Sequence, residues 1–420
     1  MIYFGEAEYP ENTQLAIKEA NARMIFDAIA ARDGISRAQL AEETGLSPST
    51  VSVITDELIK NKFIVQKGAG ESATAGRKPI CLGINPDGYD IVVFSFRTTG
   101  ILCIIYDFKL TPKEELFQPY GPLFSTARVV LGKRKNIDPE KVTDILDSLL
   151  KRSKVFNREK TLVASVSYPG NYSNKYHLLE SSLFGWYVSW DFIRLFRERY
   201  DNLPVLLGDE TVFMASNDRN QLDRTEDSAV YVYTGFGVGS AVVINGKFYQ
   251  GRNMDSGELG HISINMDGKS CPCGGKGCLE CYASTDAIID AVIEKIKDGR
   301  DSLALKIAGY DEKHIHMETL RTAYEMGDEV VSEVLNDLAR KIIVGTGNML
   351  CSFGSMNVHI GGDIRKLGQK FLDLIIEISK TTGHRYTLDE CEFDWAESPE
   401  NSECRGGALE YVRSYIRFVS

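Results

Sequence analysis

The stretch Cys271-Pro272-Cys273-Gly274-Gly275-Lys276-Gly277-Cys278-Leu279-Glu280, entered ten residues after Gly260-His261, decides how the rest of the chain is read. Three thiols and an imidazole are the donors that tetrahedral Zn²⁺ prefers, so His261, Cys271, Cys273 and Cys278 would form a closed structural metal site. The interleaved glycines let the backbone turn tightly enough for three sulfurs to converge. Cys281 is an alternative ligand, although residues 278–281 are expected to begin a helix. A redox or incidental cysteine cluster is the competing reading. A free-standing zinc ribbon would need a second Cys-x-x-Cys half, which the sequence lacks. The other cysteines, Cys81, Cys103, Cys351, Cys391 and Cys404, are scattered, and nine in 420 residues do not make a disulfide-stapled secreted scaffold.

Close to this stretch lie Glu258 and Glu280, with Asp209 upstream in Leu207-Gly208-Asp209-Glu210. Ionised carboxylates accept from hydroxyls, and neighbouring hydroxyls match a two-oxygen acceptor, so this set suits a polyol. Metal held by His261 would fix the ring tautomer and pin the loop carrying Glu258. Each carboxylate taken alone reads as a surface charge or a helix cap.

Working outward, residues 12–82 look self-contained. A helix is expected from Thr13 to Arg32 with Ile17, Ile25 and Ile29 inward. A second helix is capped by Ser36 with Gln39 three residues on, the Ser-x-x-Gln capping box, and ends at Gly45. Ser47 and Pro48 then open a third helix running to about Lys62, with Val51, Ile54 and Leu58 inward. Two β-rich pieces, Phe63 to Lys67 and Pro79 to Ile84, joined by the small-residue loop 68–76, complete a winged helix-turn-helix. Ser47, Ser49, Thr50 and Ser52 occupy the first turn of the third helix, where base edges come within reach. Lys60, Lys62, Lys67, Arg77 and Lys78 oppose one anion, Glu71, so a basic patch sits in a chain of net charge −11. Arg77 and Lys78 are candidates for minor-groove or phosphate contact. The alternative is a winged helix used for protein contacts alone.

Beyond Pro86 strand-like runs (91–96, 101–107, 162–166, 205–207, 230–233, 238–244, 358–360) alternate with helical ones (139–151, 190–200, 287–296, 329–353), which indicates α/β architecture. The 43% hydrophobic and 25% charged composition is ordinary for a globular chain and excludes disordered and fibrous classes. No run reaches the ~18 apolar residues of a membrane helix. Met1 to Pro10 carries two glutamates and no apolar basic leader, so a cytoplasmic location is expected.

Ser256-Gly257-Glu258-Leu259-Gly260-His261, the cysteine run ending at Glu280, and Thr234-Gly235-Phe236-Gly237-Val238-Gly239 together resemble the ROK family of sugar-responsive repressors and sugar kinases. The winged helix and Gly76-Arg77-Lys78-Pro79 resemble its repressor branch, which includes xylose and N-acetylglucosamine repressors. The resemblance implies a winged helix-turn-helix over 1–84 and, over 85–420, a two-lobed actin/hexokinase-like (ribonuclease H-like) α/β domain with sugar in the interlobe cleft. It implies structural zinc on His261, Cys271, Cys273 and Cys278. Sugar contacts would come from Asp209, Glu258, His261 and Glu280, with Asp209 matching the kinases' general base. Gly208 stands where the family usually has Asn, which removes one sugar contact.

Family kinases carry Asp-x-Gly-Gly-Thr after the first strand, where glycine amides approach phosphate. Here the stretch is Ser95-Phe96-Arg97-Thr98-Thr99, keeping only the threonine. Thr234, Gly235 and Gly237 match the second phosphate loop, or alternatively form a tight turn between strands. The expected protein is a regulator without kinase activity that binds operator DNA and a monosaccharide or derivative, as a homodimer or tetramer. An ATP-dependent sugar kinase with an added DNA-binding domain is the alternative. A zinc-stabilised interaction module that has lost its small ligand is a third reading. Sugar specificity would lie in pocket shape set by residues such as those from Ser181 to Trp186.

Overall fold

The structure, a computed structural model, describes residues 1–5, 14–69, 80–120, 135–173, 175–181, 184–222, 224, 226–251, 255–397 and 399–418. Arg77, Lys78 and most of the expected 68–76 loop lie outside them.

Three helices, α1 (Gln14–Ala31), α2 (Arg37–Thr44) and α3 (Pro48–Lys60), accompany a small antiparallel sheet in the order Ile35–Ser36, Ile80–Ile84, Ile64–Ala69, whose first member lies between α1 and α2. Ser36 caps α2 with the full capping box to Gln39, and Gly45 ends it in the left-handed conformation that favours glycine. Ser47 caps α3 with Pro48 in its first turn, and Val51, Ile54 and Leu58 are buried. Two expectations shift. The inward stripe of α1 is Ala22, Ile25, Phe26 and Ile29, while Ile17 is 60% exposed. Ile17 is eight residues from Ile25, which on a 3.6-residue repeat turns it off the stripe. Helix α3 stops at Lys60, because Lys62 takes a positive φ of 61° to turn the chain into the first wing strand.

The following residues build two lobes. The first lobe has a six-stranded sheet ordered Ile2–Phe4, Val205–Asp209, Thr161–Tyr168, Asp90–Phe96, Gly100–Asp107, Pro112–Pro119. Its three middle members pair in parallel and the remaining pairs are antiparallel. The second lobe has five strands ordered Lys247–Phe248, Val238–Ile244, Ala229–Thr234, Asn357–Gly362, Phe393–Trp395. Each lobe thus pairs an antiparallel hairpin with parallel strands, whose near-continuous apolar runs reflect burial on both faces. Val92, Phe94, Val166 and Leu207 pack with Leu146, Leu149 and Phe196 in the first lobe. Val230, Val232, Val358 and Ile360 pack with Leu335, Leu338 and Ile342 of helix Glu329–Phe353 in the second. A four-stranded sheet, Asn171–Ser173, Leu178–Ser181, Trp186–Ser189 and Lys135–Ile137, overhangs the first lobe.

The ends of the described chain cross between parts. Ile2–Phe4 pair antiparallel with Val205–Leu207 in the first-lobe sheet, not with the winged helix. Ile416 and Phe418, beyond the C-terminal helix Ser402–Ser414, enter the apolar cluster that holds Phe26, Phe63, Leu58 and Phe108. Arg23 of α1 donates to the Ile416 carbonyl (2.7 Å) and lies 4.8 Å over the Phe418 ring, while Glu19 accepts from the Phe418 amide (3.0 Å). Winged helix and first lobe therefore share one hydrophobic core.

Candidate functional site

The thiols and imidazole converge. The ligand atoms of His261, Cys271, Cys273 and Cys278 all lie within 4.8 Å of one another. His261 Nδ1 is 3.7 Å from Cys271 Sγ, and Cys273 Sγ is 3.7 Å from Cys278 Sγ. A tetrahedron with metal–sulfur bonds near 2.3 Å has edges of roughly 3.8 Å, so the donor spacing fits a bound metal ion. The local chain explains the convergence. Gly274 and Gly277 have φ of 100° and 65°, and a Cβ on Gly277 would lie 1.6 Å from the Asn265 carbonyl oxygen. Cys281 is outside the cluster, its Sγ directed at the Ser270 carbonyl at the head of the short helix Glu280–Ala283. Burial pushes the Cys278 thiol up to about 11, and a metal would have to displace that proton to bind.

His261 also faces the other way. Its Nε2 is 3.8 Å from Glu258 Oε2, and both residues line a cleft of about 700 Å³ between the lobes, together with Asp209 and Glu280. Glu280 Oε2 accepts from the Val238 amide at 3.0 Å, which ties the metal loop to the second-lobe sheet. Glu258 bonds Asn171 of the overhanging sheet, and burial together with Asp209 and Glu280 lifts its carboxyl to about 7. Asp209 ends its strand and caps helix Glu210–Gln221, its Oδ1 accepting from the amides of Thr211 (2.8 Å) and Val212 (3.3 Å). Burial raises its carboxyl while those amides oppose the shift. Phe184, stacked on Trp186 at 4.9 Å, walls the cleft on the overhanging side.

Thr234, Gly235 and Gly237 also line the cleft, as the tight turn of an antiparallel hairpin in which Thr234 opposes Val238. The Gly235 amide donates to the Gly237 carbonyl (2.9 Å), and Thr234 Oγ1 accepts from the Ile364 amide (3.2 Å). Across the cleft, Arg97 forms an ion pair with Glu403 and donates to Asn401 Oδ1 at 2.7 Å, and Ser95 donates to the same Glu403 carboxylate at 2.9 Å. Glu210 lies beside this group, and burial with Glu403 and Asp209 pushes its carboxyl up to about 8. Glu210, Glu403, Asn401 and Asn171 had no local signal in the sequence. Arg97 and Glu403 stand 306 residues apart, so only the fold joins them.

On the winged helix, Ser47 Oγ accepts from the Thr50 amide (3.1 Å) and lies 2.8 Å from the hydroxyls of both Ser49 and Thr50. Ser52 Oγ accepts from Arg37 of α2 at 3.3 Å. Ser47, Ser49 and Thr50 therefore share the first turn, with Ser47 committed to the cap, while Ser52 lies further along the helix against Arg37.

Residues 128–410 match the ROK family, about two-thirds of the chain. The chain belongs to the ROK family. Residues 19–65 match a winged helix-turn-helix DNA-binding module, the segment that folds as α1 to α3. This ROK chain is 27% identical over 369 residues to the xylose repressor of Caldicellulosiruptor bescii, spanning 86% of this chain and 88% of that one. It is 26% identical over 376 residues to the DNA-binding transcriptional dual regulator NagC of Escherichia coli, spanning 86% and 84%. Among solved structures it superimposes on a ROK family transcriptional regulator, a homologue of E. coli MLC protein, with TM-score 0.75 and 22% identity over 94% of this chain and 96% of the other. A ROK glucokinase from Streptomyces griseus in complex with glucose and AMPPNP matches with TM-score 0.60 and 18% identity, covering 76% and 98%. The expected fold, a winged helix ahead of a two-lobed ROK domain, is the one observed. No helix among the described residues is long and apolar enough to cross a membrane.

Proposed function

We propose that this ROK protein is a sugar-responsive transcriptional regulator, a repressor by its relatives, that binds operator DNA through the winged helix and a monosaccharide or derivative in the cleft. The reading rests on one arrangement: Asp209, Glu258, His261 and Glu280 face a single cleft in a chain whose first segment matches a DNA-binding winged helix. Three carboxylates accept from adjacent hydroxyls, and the imidazole is presented by its Nε2 edge. Zinc is the ion that a donor set of one imidazole and three thiolates favours, and it would act structurally, fixing the His261 ring and the loop that carries Glu258 and Glu280. A ligand that prefers one cleft state shifts DNA affinity by its differential affinity for the two states and no more. The route between sites is short: Glu403 at the head of the C-terminal helix lines the cleft, and Phe418 just past its end packs on α1 and the wing. Two half-sites call for a two-fold homodimer.

Phosphoryl transfer is not part of this reading. It needs a backbone cradle for phosphate, and the stretch read as the first phosphate motif carries Arg97, paired with Glu403, in place of a glycine. A kinase remains the second reading because Asp209 stands at a strand end facing the cleft, where a general base would act. A thermal-shift screen of pentoses, hexoses, amino sugars and their phosphates tests the main reading, since a ligand selective for the folded state raises its melting temperature. No shift with any sugar would favour the interaction-module reading. Turnover in a coupled ATP assay with the same sugars would establish the kinase.

A further inference from the structure

The hydroxyl-bearing turn of α3 is not the whole of its outward face. Val51, Ile54, Thr55 and Leu58 are buried against the domain core. The opposite side carries Ser49, Val53, Asp56 and Lys60, spaced by four, three and four residues and all exposed, which is one continuous stripe of a 3.6-residue helix. In the middle of that polar stripe Val53 is 62% exposed. Arg37, from the first turn of α2, reaches across to this stripe, bonding Ser52 at 3.3 Å and pairing with Asp56.

We propose that Val53 reads sequence directly, its two γ-methyl groups packing on the C5-methyl of a thymine in the major groove. The inference rests on the DNA-binding reading above and names the base that reading leaves open. The major groove offers one apolar group, the thymine methyl, and an apolar side chain on a recognition helix has no other base feature to contact. Valine suits this contact because its β-branch leaves it a single preferred rotamer in a helix, so its methyls are presented without loss of side-chain freedom. The surrounding charges fit a duplex. Asp56 would repel phosphate on its own, and Arg37 neutralises it from within the protein. Pairing with Asp56 also holds the Arg37 fork away from a guanine edge, the feature that a two-pronged guanidinium would otherwise read. Lys60, one turn beyond Asp56, lies where the helix leaves the groove toward the backbone.

The test uses the full chain and duplexes selected by it from a random-sequence pool. Each thymine of a selected duplex is replaced singly by uracil, which removes only the methyl. The wild type should lose about three- to ten-fold in affinity at one position per half-site, the low end of what a specific base contact is worth. Val53→Ala should bind the thymine duplex with that same loss and be indifferent to uracil at that position. Its melting temperature should be unchanged, because the side chain is exposed. A wild type indifferent to uracil everywhere, or a Val53→Ala protein with an unaltered uracil penalty, overturns the assignment. Failure of the wild type to enrich any duplex would instead remove the DNA-binding reading itself, and this inference with it.

Discussion

At the scale of single residues, the cleft joins groups with opposite demands. Glu258 lies on the cleft side of His261 and the thiols on the other, so replacing each should separate the proposed sensing from scaffold. Glu258→Gln keeps the shape but removes one anionic acceptor. It should weaken the sugar-induced melting shift, with affinity down about ten-fold for a lost charged hydrogen bond, and leave operator affinity as it was. Cys273→Ser should lower metal content in the purified protein, read by atomic absorption, and reduce both dimer stability and DNA binding. Glu210 supplies a pH signature. Its carboxyl stands at about 8 in the folded protein against 4.5 as its ordinary value, so the folded state holds a proton that the unfolded state releases. That contribution is complete below 4.5 and is lost as pH rises through 8. The melting temperature should therefore fall as pH rises from about 4.5 to 8 and level off above that, and Glu210→Gln should flatten that slope.

At the scale of elements, the strongest local rules carried furthest. The Ser36 capping box, the left-handed Gly45, and Ser47 with Pro48 each set a helix end before any tertiary contact is considered, so α2 begins and ends there and α3 begins there. The strand Val238–Ile244 and the helix Glu329–Phe353 coincide with their apolar runs. The four clustered donor residues were legible for the same reason: His261 and the thiols lie within eighteen residues, with glycines at the turns. What escaped was non-local. The strand Pro112–Pro119 alternates between exposed and half-buried residues at a sheet edge and lacks a buried run to announce it. Arg97 was visible as a missing glycine, but its partner lies at the other end of the sequence. Removing that partner gives an element-scale prediction. Glu403→Ala leaves the partly buried Arg97 guanidinium without its carboxylate partner, and should cost about 3 kcal/mol by denaturant melting, as breaking a largely desolvated pair does.

At the scale of the whole molecule, the winged helix is not an appended bead. Phe26, Phe63 and Phe108 close around Phe418, with ring centroids 4.5 Å apart for Phe26–Phe418 and 5.2 Å for Phe63–Phe418. Phe418→Ala should cost about 3–5 kcal/mol, the usual value for emptying such a site. It should also weaken DNA binding in gel-shift titrations while sugar still shifts the melting of the lobes. The same packing sets an order of events during synthesis. Glu19 and the Phe418 amide that it holds are separated by 399 positions, so the ribosome emits the first helix long before its last packing partner. Closing so long a loop is slow and belongs late in folding. Until then the nascent DNA reader lacks a wall of its interior, and a polypeptide released early, without its sensor, would have little ability to occupy a promoter.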